Sequence, residues 1–141
     1  MRFWDSSAIV PLLVHEPTFQ DLRQLLLSDA EITVWWGTAV ECTSALARRE
    51  REGLLVIELA NPAYSRLREL STTWAEMLPS NPIRITAQRL LRTHPLRAAD
   101  SLQLAAAIVA AEGDPPSLQV VTLDHQLAEA ARREGFEVIC Y

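Results

Sequence analysis

The stretch LQVVTLDHQLAEAARREGFEVIC, residues 118–140, decides the fold of the chain. Leu118–Thr122 is a short apolar run rich in β-branched side chains, which reads as a buried strand. Asp124 follows where a helix N-cap belongs. From 125 to 134, apolar or small residues recur at Leu127, Ala128 and Ala131 on one helical face, and Gly135 supplies the stop. Glu137–Cys140 then reads as a second strand. Two strands joined through a helix run parallel, because an antiparallel pair would need only a tight turn.

The same alternation extends towards the N-terminus. Arg2–Trp4, Ile32–Trp35 and Ile83–Ile85 read as further strands, and helical patterns are predicted at about 18–28, 38–52, 60–78, 86–93 and 98–112, with another helix beginning near Ser6 or Ser7. Repeated strand–helix alternation predicts an α/β fold: a central parallel sheet with helices on both faces. Each helix that follows a strand starts at the carboxyl edge of the sheet, which is where open α/β sheets place their sites. No repeat, low-complexity tract or linker interrupts the pattern, and GDPPS at 113–117 reads as a tight connection, so residues 1–141 are expected to form a single domain.

Composition narrows the function. A chain of 141 residues buries about 68% of the surface its unfolded form exposes, so neither disulfides nor a structural metal is needed to hold it. Hydrophobic residues at 49% and charged residues at 22% place it among ordinary globular proteins. No apolar run is long enough to span a bilayer, and no basic segment precedes an apolar one at the N-terminus, which predicts a cytoplasmic protein without a secretory signal. Cys42 and Cys140 form no C-x-x-C and have no nearby His, so both are expected to be small buried hydrophobes. All 13 basic residues are arginine. The absence of lysine excludes Schiff-base chemistry, a Walker lysine and aspartyl-phosphate sites that depend on a lysine. A net charge of −5 argues against wrapping of nucleic acid by a basic surface.

Four acids stand at helix starts on the predicted carboxyl edge: Asp5, Glu41, Asp100 and Asp124. Each has a local explanation. Asp5 and Asp124 suit N-caps. Thr38 and Glu41 have the spacing of a capping box. Asp100 lies in a first helical turn, where it would favour the helix dipole. Together they point elsewhere, because carboxylates gathered within about 4–6 Å repel one another unless a cation intervenes. Oxygen-only ligands select hard ions such as Mg²⁺ or Mn²⁺.

The segments RFWDSSAIVPLLVHEP, TAVECTSALARRE, LRAADSLQLAAA and VVTLDHQLAEAARREGFEV resemble, in order and over nearly the whole chain, the successive motifs of PIN-domain ribonucleases, in particular VapC-like toxins of bacterial toxin–antitoxin pairs. That resemblance implies an α/β/α sandwich with strand order 3-2-1-4-5. It implies an acidic site at Asp5, Glu41, Asp100 and Asp124 that binds Mg²⁺, with Mn²⁺ as a substitute, and Ser6 and Thr122 as hydroxyl partners. It further implies hydrolysis of RNA to 5′-phosphate and 3′-hydroxyl ends, homodimers, and inhibition by a VapB-like antitoxin.

Arg48, two helical turns beyond Glu41, and Arg97, one turn before Asp100, are placed to contact phosphate, whereas Arg49 and Arg51 read as a solvated face. Trp35 and Trp36 alternate sides at the end of the second strand, so at most one is available to stack on a base, and for either one core packing or a dimer contact is the preferred reading. Trp74, with Leu67, Leu70 and Leu78, reads as core or interface on a long helix, and His125 as exposed. A PIN-like module that binds RNA or protein without cutting, and a housekeeping RNA-processing nuclease, stay open as alternatives.

Overall fold

A computed structural model describes residues 1–141. The elements run β1 (Arg2–Trp4), α1 (Ser6–Val14), α2 (Phe19–Ser28), β2 (Ile32–Trp35), α3 (Thr38–Arg51), α4 (Ile57–Ser71), β3 (Ala75–Met77), α5 (Asn81–Thr93), α6 (Ala98–Ala110), β4 (Gln119–Thr122), α7 (His125–Arg133) and β5 (Val138–Cys140). The five strands form one sheet in the order β3-β2-β1-β4-β5, and every pairing is parallel.

Two apolar layers sandwich the sheet. On one face Phe3, Trp35 and Val120 meet Ile83, Leu90, Leu104 and Leu127 from α5, α6 and α7. On the other, Trp4, Val34 and Val121 meet Ile9, Leu13, Leu22, Leu46 and Leu67 from α1 to α4. Alternation along β1 sends Phe3 to one layer and Trp4 to the other, as the two-residue period of a strand requires. Both are essentially unexposed, so the central strand is pinned from both sides before it ends at Asp5.

The third strand lies elsewhere than the sequence predicts. Ile83–Ile85 belongs to the first turns of α5: Ser80 caps that helix by accepting from Ile83 N at 3.4 Å, and Pro82 occupies its start. Ile83, Ala87 and Leu90 are buried at helical spacing, whereas Ile85 is exposed. The strand is instead Ala75–Met77, inside the predicted helix 60–78. Alpha4 stops at Ser71 because Thr72 and Thr73 turn their hydroxyls back onto the carbonyls of Glu69 and Leu70. Ala, Glu and Met favour helices, so here pairing with Thr33, Val34 and Trp35 of β2 overrides local propensity. Trp74 is buried just before β3, its Nε1 donating to Glu76 Oε1 at 3.0 Å, and Leu78 is exposed.

No helix is long and apolar enough to cross a membrane. Cys42 is buried and Cys140 half-buried, with Cys140 Sγ 3.6 Å from Nδ1 of the exposed His125. His94 is buried and bonded at 2.7 Å to Glu134, which also takes Arg89 on both carboxylate oxygens, tying α5 to α7.

Candidate functional site

The carboxyl ends of β1 and β4 lie side by side, and the backbone N–H of Asp5 donates to Val121 O at 3.0 Å as the last rung between them. Asp5 is therefore held at the middle of the sheet edge, only 4% exposed. It caps α1 by accepting from Ser7 N at 3.3 Å, so the local explanation for this acid holds. The cap occupies one oxygen. Oδ2 also receives the Ser7 hydroxyl and, at 2.9 Å, the Thr122 hydroxyl. Each of those hydroxyls is fed by a backbone donor: Leu123 N donates to Ser7 Oγ at 2.8 Å and Asp124 N to Thr122 Oγ1 at 3.0 Å. Two polarised chains thus converge on Oδ2. Oδ1 receives only a long contact of 3.4 Å from Ser6 Oγ. One oxygen is clamped and the other is left for the cleft.

Ser6 has a single proton to give, and the shorter contact, 2.8 Å, runs to Glu41 Oε2. Its hydroxyl bridges the two acids. The capping box expected at Thr38 and Glu41 does not form: the N-cap is Gly37, and Thr38 lies inside α3 with its side chain buried. Both residues instead receive Gln103 from α6, whose Nε2 donates to Thr38 Oγ1 at 3.1 Å and Glu41 Oε2 at 3.2 Å. The reverse amide orientation would set Oε1 against a carboxylate, so the donor must face Glu41 while that group is ionised. Gln103 is 1% exposed, and its Oε1 has no partner.

Asp100 stands one helical turn before Gln103 on α6, the i, i+3 spacing that puts both on one face. Asp124 caps α7, with Gln126 N at 2.8 Å and Leu127 N at 3.0 Å both donating to Oδ1, so its N-cap explanation also holds. All four acids line a single open cleft of about 710 Å³, together with Ser6, Ser7, Arg48 and Arg97. The fold therefore brings every predicted acid to one place, and Thr122 stands directly behind Asp5. Arg48 and Arg97 are on the cleft wall, whereas Arg49 is taken up by an ion pair with Glu16.

Charge is costly there. Burial raises the Asp5 carboxyl above its ordinary 3.8, against the hydroxyl bonds from Ser7 and Thr122, and the charge of Asp100 adds to the rise. Glu41 is raised first by burial and then by Asp5 and Asp100, with Gln103 and Ser6 opposing. Asp100 is raised by burial and by Asp124, with Arg97 pulling the other way. Three acids facing one cleft are thus biased towards holding protons unless positive charge is supplied.

No three of the carboxylates close into a preformed ligand cage. Of the four acids, Asp5 and Asp100 are the expected direct ligands, with Glu41 and Asp124 completing the shell directly or through water. The donor set still fits a small hard cation, because Mg²⁺ keeps several waters and needs only one or two carboxylates from the protein. An acid oxygen spared by the hydrogen bonds, at Asp5 Oδ1, and acids destabilised in their ionised form are the features such an ion would satisfy.

A family model described as the PIN domain matches residues 2–133. The chain belongs to the PIN domain family. Among solved structures, this PIN domain is similar to FitAcB from Neisseria gonorrhoeae, at 20% identity and a TM-score of 0.66, covering 99% of this chain and 96% of that one. It is similar to VapBC2 from Rickettsia felis, solved bound to a DNA fragment from their promoter, at 12% identity and a TM-score of 0.67, covering 99% and 98%. A toxin–antitoxin complex from Klebsiella pneumoniae gives 15% identity and 0.64, covering 91% of each chain. Identities this low carry the fold alone. No curated protein matches the sequence.

Two groups that hold the acids, Ser7 in the cleft and Gln103 buried behind it, are not singled out by the sequence. Ser7 was legible as the second hydroxyl of the DSS triplet, where position i+2 from an N-cap aspartate is set to bond back to it. Gln103 had a weaker signal: one amide in the otherwise apolar run Leu102–Val109, one turn from an acid.

Proposed function

We propose that the chain is a metal-dependent ribonuclease and the toxin of a VapBC-type pair. The observation that carries this reading is the convergence of Asp5, Glu41, Asp100 and Asp124 on one cleft with three of the four destabilised in the charged form. Asp5 Oδ1 and Asp100 would hold Mg²⁺ or Mn²⁺, with Glu41 and Asp124 completing the shell directly or through water. Bound there, the cation lowers the pKa of water and neutralises charge that builds on the phosphoryl group.

The protein's own groups do the positioning. Ser7 and Thr122 fix the Asp5 carboxylate, and Ser6 and Gln103 fix Glu41. Arg48 and Arg97 present forked guanidinium groups to the phosphates on either side of the scissile bond. Water, not an acid side chain, is the nucleophile, so no covalent intermediate forms. The toxin–antitoxin context of the structural neighbours supports an antitoxin partner; a homodimer and action in the cytoplasm are part of the same proposal.

Cleavage of a single-stranded RNA should require Mg²⁺ or Mn²⁺ and stop in excess chelator, with recovery when the ion is restored. Undiminished cleavage in chelator would reject the proposal, and binding of RNA without cleavage under any divalent ion would favour a silent binding module. A subtler test falls on Gln103. Gln103→Leu removes the donor to Glu41 but also removes the unpartnered Oε1, so the melting temperature should change little. Activity or metal affinity should fall about 10- to 100-fold, the usual loss when a group that orients a ligand is deleted. Equal loss of stability and activity would make Gln103 a packing residue only.

A further inference from the structure

Beside the acidic cleft lies a second groove of about 500 Å³, between the end of β2, the first turn of α5 and the start of α6. Its walls include Trp35, Trp36, Ser80, Asn81, Arg84 and Leu102. The two sites are neighbours along the chain on both sides: Trp36 precedes Thr38 and Glu41 on the β2–α3 link, and Leu102 is two residues beyond Asp100.

Trp36 stands out among the tryptophans because the residue is 53% exposed. It is not loosely attached. Its backbone N–H donates to Met77 O at 3.1 Å, which ties it to the end of β3. Behind it the buried Trp35 packs edge-on, with ring centroids 6.5 Å apart at 73°. Trp35 in turn lies close over Gly37, where an added Cβ would sit 2.6 Å from the indole Nε1. An open indole face on a fixed backbone is a platform prepared for a flat partner. The polar lining is of a matching kind. Ser80 and Asn81 offer an hydroxyl and an amide, Arg84 offers an exposed guanidinium steered by Asn81 Oδ1 at 3.3 Å, and no carboxylate lines the groove. In a chain of net charge −5, a groove with a cation and no acid beside one with four acids is a complement to phosphate.

We infer that this groove binds one unpaired nucleotide of the RNA strand, its base stacked on Trp36 and its phosphate on Arg84, next to the phosphodiester held in the acidic cleft. The inference rests on the ribonuclease reading above. A base inside a duplex cannot offer its face to a side chain, so the groove selects single-stranded or looped segments and thereby helps choose where the strand is cut. Stacking discriminates weakly among bases, so Trp36 contributes affinity and register more than sequence preference.

The test uses full-length protein carrying Asp5→Asn, in Mg²⁺, with a short end-labelled single-stranded oligoribonucleotide of mixed sequence as the probe. Trp36→Ala in that background should weaken binding roughly 5- to 150-fold, the range for losing one base–aromatic stack, and Trp36→Phe should restore most of it. Arg84→Gln should weaken binding and reduce the slope of log affinity against log salt by about 0.7, one phosphate contact on a single strand. Variants that bind as tightly as the parent, with the same salt slope, would overturn the inference while leaving the ribonuclease reading intact. So would a dimer that Trp36→Ala splits without any loss of oligoribonucleotide affinity, because the groove would then be an interface between copies. A parent protein that binds no oligoribonucleotide, paired with wild-type protein that cuts none, would bring down the ribonuclease reading and the subsite with it.

Discussion

Asp5→Asn should silence cleavage and, at the same time, raise the melting temperature of the metal-free protein. The two effects have one origin. Asp5 is buried at the end of the central strand, and burial is the largest cause of its raised pKa, so its charge is a standing cost in the folded state. Asparagine keeps an oxygen for the hydroxyls of Ser7 and Thr122 and for Ser7 N, which preserves the α1 cap. It removes the charge that a cation needs. The loss of activity should exceed the 10- to 100-fold that follows loss of a merely supporting group. The gain in stability should amount to a few degrees, since each kcal/mol is worth about 2–8 °C in a domain of this size.

The pH dependence carries the same signature. Asp5, Glu41 and Asp100 all bind protons more readily folded than unfolded. Their contribution to stability is therefore fully present below their ordinary values of 3.8 and 4.5, and is lost as pH rises through the elevated folded values. Saturating Mg²⁺ should cancel that loss, so the ion's stabilising effect on melting should grow from pH 4 to pH 8 in wild-type protein and shrink in Asp5→Asn. Loss of stability in Asp5→Asn, alongside loss of activity, would mean that the Asp5 charge supports the fold rather than burdening it, and would contradict this reading.

The second large effect distinguishes Asp100 from Asp124. The charge of Asp100 is felt by both Asp5 and Glu41, whereas among the raised acids the charge of Asp124 is felt by Asp100 alone. Asp124 also commits Oδ1 to two backbone N–H groups of α7, a job that asparagine does equally well. Asp100→Asn should therefore reduce turnover as severely as Asp5→Asn, and Asp124→Asn should cost no more than about 100-fold, in the range of a supporting group. Cleavage rates of the two variants at saturating Mg²⁺ decide the order. A more severe defect in Asp124→Asn would put the centre of the site at the β4–α7 link.

Much of this site could be read from the chain because its acids sit where short, strong patterns change. Arg2–Trp4 and Leu118–Thr122 are apolar runs that stop at or just before an acid, and the strand alternation at Phe3 and Trp4 matches the two apolar layers. The third strand was not legible, since Ala75–Met77 consists of helix formers and is extended only because β2 offers it a partner. Ile83–Ile85 misled in the opposite sense: its alternation is that of a strand, but Ser80 and Pro82 start a helix through it. The local explanation for Glu41 fails although its place in the cleft holds. The T-x-x-E spacing suggested a capping box, whereas both side chains point to Gln103, a residue sixty-two positions from Glu41 in sequence. Contacts across that separation leave no mark in local spacing.

The most direct measurement is anomalous diffraction from crystals grown in manganese. One or two manganese peaks in the cleft, with Asp5 Oδ1 and an Asp100 oxygen in the inner coordination shell and water filling the rest, is the result expected. A well-ordered cleft in which Asp5 Oδ1 faces only water, with manganese bound elsewhere or nowhere, would contradict the account.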